Sequence, residues 1–493
     1  MTASGQNRGT IPTRRFAFDP TSVTVGYRAE RGCFPDGPAN AKVLAYVSGI
    51  GRQPVRQEKG IRMQYRRLAR GAAGAAAVIL TVAVAAGCSS SKKKNDNGGS
   101  GGGGGGAGDR GPITMVQGKD TSGILPGLAA LWNKDHPTEK VTMVQQTDQA
   151  DQQHDDLVHH FQAKDPTYDV MSVDVIWTAE FAAKQWLVPL KGDFAINTDG
   201  LLAGPVKAAT YNGTLYAAPE TSDGGLLYYR KDLVPTPPTT YAELISDCAK
   251  KTAGMACYAG QFAKYEGLTC NASEAINSAG GEIVKADGKT PDVDTDQAKQ
   301  GLDFLVNGFK QGYIAKEAIT YQEEDSRNAF QSGKALFLRN WPYVYNHLTQ
   351  DKDSKVKDKF GVAPLPGLNG PGTSTLGGHN FAISQYSKHK ATALDFLKFI
   401  MSAPAQSLLL NVGSLAPVLK SSYSDPALIA KFGYLPTLEK SIDTAIPRPV
   451  TPFYPAVTQT IETNVYQALQ GSLSVDAALK NIQAGITEAA AGK

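Results

Sequence analysis

Past a glycine-rich stretch that ends at Gly106, apolar and polar positions along the chain switch between two periods. Ile113-Thr114-Met115-Val116 reads as a strand, and Leu125, Leu128, Leu131 and Trp132 then recur on one side of a helix over Ile124–Lys134. Val141–Val144 is the next strand, Asp155–Ala163 the next helix and Asp169–Val173 a third strand. The pattern continues with a strand at Gly225–Tyr229 and helices at Tyr241–Lys250, Asp296–Phe309 and Asp325–Ser332. Strands follow at Ala335–Leu338, Phe360–Pro364 and Phe381–Ile383. Lys390–Met401 carries Ala393, Phe396, Leu397 and Ile400 at helical spacing, and Pro455–Leu469 and Val475–Gly485 read as two closing helices. Strand–helix–strand succession predicts the α/β class, with a parallel sheet and right-handed crossovers. About 380 residues follow the glycines, enough for roughly two domains.

The beginning of the chain has another character. Arg66, Arg67 and Arg70 precede an uncharged run, Gly71–Ala86, that closes on Val84-Ala85-Ala86-Gly87-Cys88. A positive segment, a short apolar stretch and small residues form the layout of a secretory signal peptide, and the cysteine placed just after them marks a lipidation site at Cys88. The run is short for a membrane span, which needs about 20 apolar residues, although an ordinary membrane anchor is the competing reading. Ala85 stands where such motifs usually carry leucine. Residues 88–111, with four serines, three lysines and a run of glycines, read as a flexible tether. Met63 is placed as a signal start, so 63–87 is the predicted signal peptide. Residues 1–62, rich in Gly, Pro and Arg and without sustained periodicity, are then an upstream extension called from too early a start, or else a cytoplasmic segment. Cys33 in it has no expected role.

Removing that leader changes the charge. The chain has 50 Lys+Arg and 46 Asp+Glu, a net +4; residues 1–87 hold 13 and 4 of them, leaving 37 and 42, or −5. The basic excess belongs to the leader and gives no argument for nucleic acid. Of the remaining cysteines, Cys248 and Cys257 flank a short segment in an exported chain and are predicted to form a disulfide, with Cys270 buried and reduced.

No catalytic constellation is visible. A Walker phosphate loop and HExxH are missing from the sequence, Gly-x-Ser-x-Gly and a dinucleotide glycine spacing occur only within the glycine-rich tether, over 98–111, with no strand-to-helix pattern to frame them, and no cofactor is expected. His154, His159 and His160 fall on one predicted helix, but the acids beside them suit a solvated face better than a metal. Glu323-Glu324 reads as a solvated loop or helix start, since adjacent carboxylates rarely share one glycosidase site.

Four segments in order carry a resemblance: Asp169–Ala182, Leu215–Pro219 with Gly225–Leu233, Ala335–Tyr343 and Ser374–Ser384. Over about residues 113–486 the chain resembles the extracellular solute-binding proteins of ABC sugar importers, especially their maltose- and trehalose-binding branch. The resemblance implies a two-lobed periplasmic-binding-protein fold, each lobe a sheet flanked by helices, joined by crossing hinge strands. Lobe 1 would take 112–221 and 362–420; lobe 2 would take 222–361 and 421–493. It further implies a monomer on the outer face of the cytoplasmic membrane, lipid-anchored, that hands a di- or oligosaccharide to permease subunits. An α-glucoside such as trehalose or maltose is the leading ligand. A polyol receptor, or an exported glycoside hydrolase using Glu220 and Asp223, are the alternatives.

Sugar hydroxyls want planar bidentate partners, and pyranose faces want an aromatic plate. On that basis the resemblance places ligand contacts at Asp120, Asp174, Trp177, Glu220, Asp223, Trp341, Gly377, Gly378, Asn380, Arg448 and Tyr454. Trp177 is equally suited to the core, Asp174 to capping the helix after it, and Arg448 to a surface ion pair. Tyr265 and Glu266 fall in a loop bordering the cleft. His379 departs from the related pattern, which has tryptophan in Gly-Gly-Trp-Asn.

Overall fold

The computed structural model describes residues 109–492. The upstream extension, the signal peptide and nearly all of the tether, with Cys88, lie outside the described residues.

The first strands are β1 (Ile113–Gln117), β2 (Val141–Gln145) and β3 (Val170–Asp174). A small hairpin, β4 (Thr210–Tyr211) with β5 (Thr214–Leu215), precedes β6 (Ala217–Pro219). The chain then builds a second sheet from β7 (Leu226–Arg230), β8 (Ala256–Ala259), β9 (Ala335–Asn340) and β10 (Phe360–Ala363). It returns through β11 (Thr375–Leu376) to β12 (His379–Ile383), and β13 (Ile446–Pro447) later pairs with β11. The two main sheets are ordered β2-β1-β3-β12-β6 and β10-β7-β9-β8.

Alternation along the strands explains why the first sheet is covered on both faces. Ile113 and Met115 join one core with Trp132, Phe381 and Phe396, whereas Val116 joins the other with Phe161 and Phe181. In the second sheet all six residues of β9 are buried, and so are the twelve of the helix Glu266–Asn277 beside it.

Two crossing segments link the sheets and are hydrogen-bonded to each other. The Asp223 amide donates to the Gly377 carbonyl at 3.1 Å, and the Gly377 amide returns a bond to the Asp223 carbonyl at 2.8 Å. They also correct the expectation of an all-parallel sheet. β12 enters from the crossing and runs antiparallel to both β3 and β6. In the second sheet only β8 and β9 pair in parallel. The boundary expected at residue 362 falls inside β10, which pairs with β7 over Phe360–Ala363, so the return to the first sheet comes later. The second helix begins at Ala150, not Asp155. A disulfide joins Cys248 to Cys257 with the Cα atoms 5.2 Å apart, and Cys270 is free and buried.

Candidate functional site

The carboxyl ends of β1, β3 and β6, the end of β9 and the crossing segments converge on a cleft of about 400 Å³. This is where ligands settle in open α/β sheets, and the volume falls in the range of small-molecule sites.

Trp341 extends the chain past β9. Its amide donates to Asn340 Oδ1 at 2.8 Å, and the Arg339 guanidinium carbon lies 3.8 Å from the indole centroid. Arg339 is buried and gripped by Glu274 through two bonds of 2.6 and 2.5 Å, with Gln261 Oε1 accepting a third at 2.9 Å. The indole is thus held from beneath by a fixed cation. Gly377 gives it room, since a Cβ there would stand 2.9 Å from the ring. Gly378 has φ +110°, and a Cβ would meet the Thr221 carbonyl oxygen at 2.3 Å.

Arg448 follows β13 and lines the cleft while only 4% exposed. It donates to Glu266 at 2.6 Å and to Asp174 Oδ1 at 3.0 Å, while its Nε is buried without a partner. Asp174 ends a strand of the first sheet and Glu266 opens a helix packed on the second, so this ion triad spans the cleft. The reading of Arg448 as a surface salt bridge is overturned by its burial. Asp174 also accepts from the Ile176 amide at 3.2 Å, so it caps as well as pairs.

Glu220 and Asp223 stand on the first crossing and also line the cleft. Burial pushes the Glu220 carboxyl up to about 8; a bond from the Ser172 hydroxyl at 3.3 Å opposes this, and Asp223 and Asp120 add to it. Burial, aided by Asp174, pushes Asp223 up to about 7. Neither has a cation within ion-pair distance among the described residues, and Asp223 Oδ1 is buried without a partner.

Other expected contacts fare differently. Asp120 borders the cleft, but its two oxygens accept from the Ile124 and Leu125 amides at 3.1 and 2.9 Å and so fix a helix start. Trp177 reaches the cleft yet is 5% exposed and packs on His154 and Phe181. Asn380 and Tyr454 do not line the cleft. Asn380 is buried within β12, and the Tyr454 hydroxyl donates to Glu266 behind Arg448 at 2.5 Å.

Tyr265 and Glu266 border the cleft as expected, although Glu266 begins a helix and is no loop residue; Gln117, Ser172 and Cys270 join the lining without having been anticipated. Glu323 and Glu324 stand at a helix start, as one of the two readings had it, but are not left to solvent: they accept from the Tyr265 and Tyr343 hydroxyls at 2.7 and 2.6 Å at the cleft. His154 bonds Glu180 at 2.8 Å, and no cluster able to hold a metal occurs among the described residues.

The family described as bacterial extracellular solute-binding proteins matches residues 118–407. A Deinococcus radiodurans protein named "Probable ABC transporter-binding protein" is 33% identical over 340 residues, 65% of this chain and 80% of its own. A "Mannitol-binding protein" of Pseudomonas aeruginosa is 27% identical over 348 residues, 64% of this chain and 79% of its own. The solved structure of maltose-bound T. maritima MalE3 superposes with a TM-score of 0.72 at 33% identity, covering 76% of this chain and 98% of that one. These are binding proteins of two lobes, not enzymes, so the glycoside hydrolase alternative is set aside.

Proposed function

This chain belongs to the family of bacterial extracellular solute-binding proteins, and from that premise we propose that it captures a di- or oligosaccharide for an ABC importer. An α-glucoside such as maltose or trehalose is the ligand we favour. One observation carries this reading: a supported indole, Trp341, faces the same cleft as two buried carboxyl groups, Glu220 and Asp223, that have no cation within ion-pair distance among the described residues. Hydroxyl donors would complete the carboxylates, and a pyranose face would cover the indole.

Asp174, Arg448, Glu220, Asp223, Trp341, Gly377 and Gly378 are the contacts we assign, with Asp120 and Trp177 at the margin. Ligand that touches both lobes binds the closed state better, and only that difference shifts the hinge. The permease can then read closure as a sign of cargo. A polyol is the second reading, favoured by the mannitol-binding relative. We assign 112–221 to the first lobe and the segment from 222 through β10 to the second, each completed by later segments, and take the protein to act as a monomer. The Cys88 motif supports a lipid anchor on the outer face of the cytoplasmic membrane; Cys88→Ala should free the protein from membranes, and continued retention refutes the anchor.

Calorimetry with maltose, trehalose and mannitol tests the ligand class. Trp341→Ala should weaken the ligand that binds by about ten- to a hundredfold, taking aromatic stacking on bases as the guide. Unaltered affinity removes the plate from the site, and failure of all three ligands overturns the class.

A further inference from the structure

His379 opens β12 at the centre of the cleft, and its backbone is fully committed. Its amide donates to Thr221 Oγ1 at 3.1 Å, and its carbonyl accepts from the Glu220 and Thr221 amides at 2.9 and 3.2 Å. It pairs in register with Asp174 and follows Gly378, whose φ of +110° turns the chain into the strand. The backbone is therefore fixed, and the side chain is what β12 presents to the cavity it lines.

The imidazole is idle within the protein. Among the described residues neither ring nitrogen has a hydrogen-bond or ion-pair partner, and neither is sealed off from the cavity. The charged groups around it are Asp174 on β3, Arg448 after β13, and Glu220 and Asp223 on the crossing segment. Burial, with Asp174 opposing and Arg448 assisting, lowers its pKa, so the ring is neutral at pH 7.

A neutral imidazole supplies one donor and one acceptor. Asp174 when ionised accepts only, and Arg448 donates only. A hydroxyl both donates and accepts, so His379 is the one group of the three able to satisfy it in both senses. An aromatic side chain here would instead reward an apolar ring face.

Resting on the reading of the cleft as a sugar or polyol site, we propose that His379 is a specificity-determining residue that selects a ligand presenting a free hydroxyl at this point rather than a ring face. Trp341 then remains the stacking plate, and His379 grades ligands by what they place opposite it.

Calorimetry of wild type, His379→Gln, His379→Leu and His379→Trp with maltose, trehalose and mannitol tests this, each variant first checked by unliganded melting. His379→Leu should weaken the tightest ligand about five- to thirtyfold, the effect of leaving a ligand hydroxyl unpaired, while His379→Gln keeps most of the affinity. His379→Trp should shift preference from mannitol towards maltose. As pH is lowered below the ordinary imidazole value of about 6.5, wild-type affinity should also fall by more than that of His379→Gln, since protonation removes the acceptor beside Arg448. This second measurement stands if His379→Leu does not fold. If wild type binds a ligand and His379→Leu binds it within about twofold, or the pH profiles of wild type and His379→Gln coincide, the inference is overturned while the site survives. If wild type binds none of the three, the ligand class fails and the inference falls with it.

Discussion

The cleft holds two clusters of buried charge built on opposite plans. Around Arg448 the charges are matched: Asp174 and Glu266 accept from the guanidinium, and Tyr454 and Thr458 donate to Glu266 as well. Around Glu220 and Asp223 they are unmatched, with a serine as the one side-chain donor to Glu220 among the described residues and a buried oxygen of Asp223 left open. A matched cluster holds structure, because removing any member leaves buried charge behind. An unmatched one stores a penalty that an incoming donor relieves. The same residue types thus do different work, and the partners decide which.

The sharpest way to break this contrast is Arg448→Ala. It leaves Asp174 and Glu266 facing each other without a cation, which should cost about 3–5 kcal/mol of stability in the unliganded protein. Denaturant unfolding measures it. A loss under about 1 kcal/mol would mean that the triad is loosely hydrated and that Arg448 serves ligand alone.

The unmatched pair makes the opposite prediction. Glu220 and Asp223 have folded pKa values raised to about 8 and about 7, so between the ordinary carboxylate range and those values the folded state binds more protons than the unfolded chain. Stability should therefore fall as pH rises from about 5 to about 8. The double substitution Glu220→Gln with Asp223→Asn should flatten that slope in unliganded melting curves. A slope unchanged in the double variant would assign it to other buried acids such as Glu462, raised to about 7 chiefly by burial.

The comparison also explains what was legible in the sequence. Strands of the first sheet were readable because each alternates between two apolar cores, as Met115 and Val116 do. The helix Glu266–Asn277 was not, because all twelve residues are buried, so polar residues such as Thr269, Asn271 and Ser273 face the interior with the apolar ones and no solvent face marks it out. Single cleft residues such as Trp341 and Asp223 were found through their local segments. Their partnerships were not: Arg448 meets Glu266 from 182 positions away and Asp174 from 274. Asp120 shows the same limit from the other side. A carboxylate after a strand looks the same in sequence whether it meets ligand or caps a helix, and here its oxygens meet two amides.

Tyr454 gives the smallest test. It was expected to touch ligand, yet it is 1% exposed, lies off the cleft and donates only to Glu266. Tyr454→Phe removes one of three donors to that carboxylate. Arg448 and Thr458 remain, at 2.6 Å each, so the Glu266 charge stays compensated. The loss should be about that of a hydrogen bond to a charged group, roughly 1–3 kcal/mol of stability, with the phenyl ring still filling its site. Ligand affinity should change less than about threefold, because Arg448 keeps both carboxylates. Chemical denaturation and calorimetry on the same variant separate the two effects. Stability kept while affinity falls tenfold would put the hydroxyl in contact with ligand, and Tyr454 would then join Asp174 and Arg448 on the binding surface.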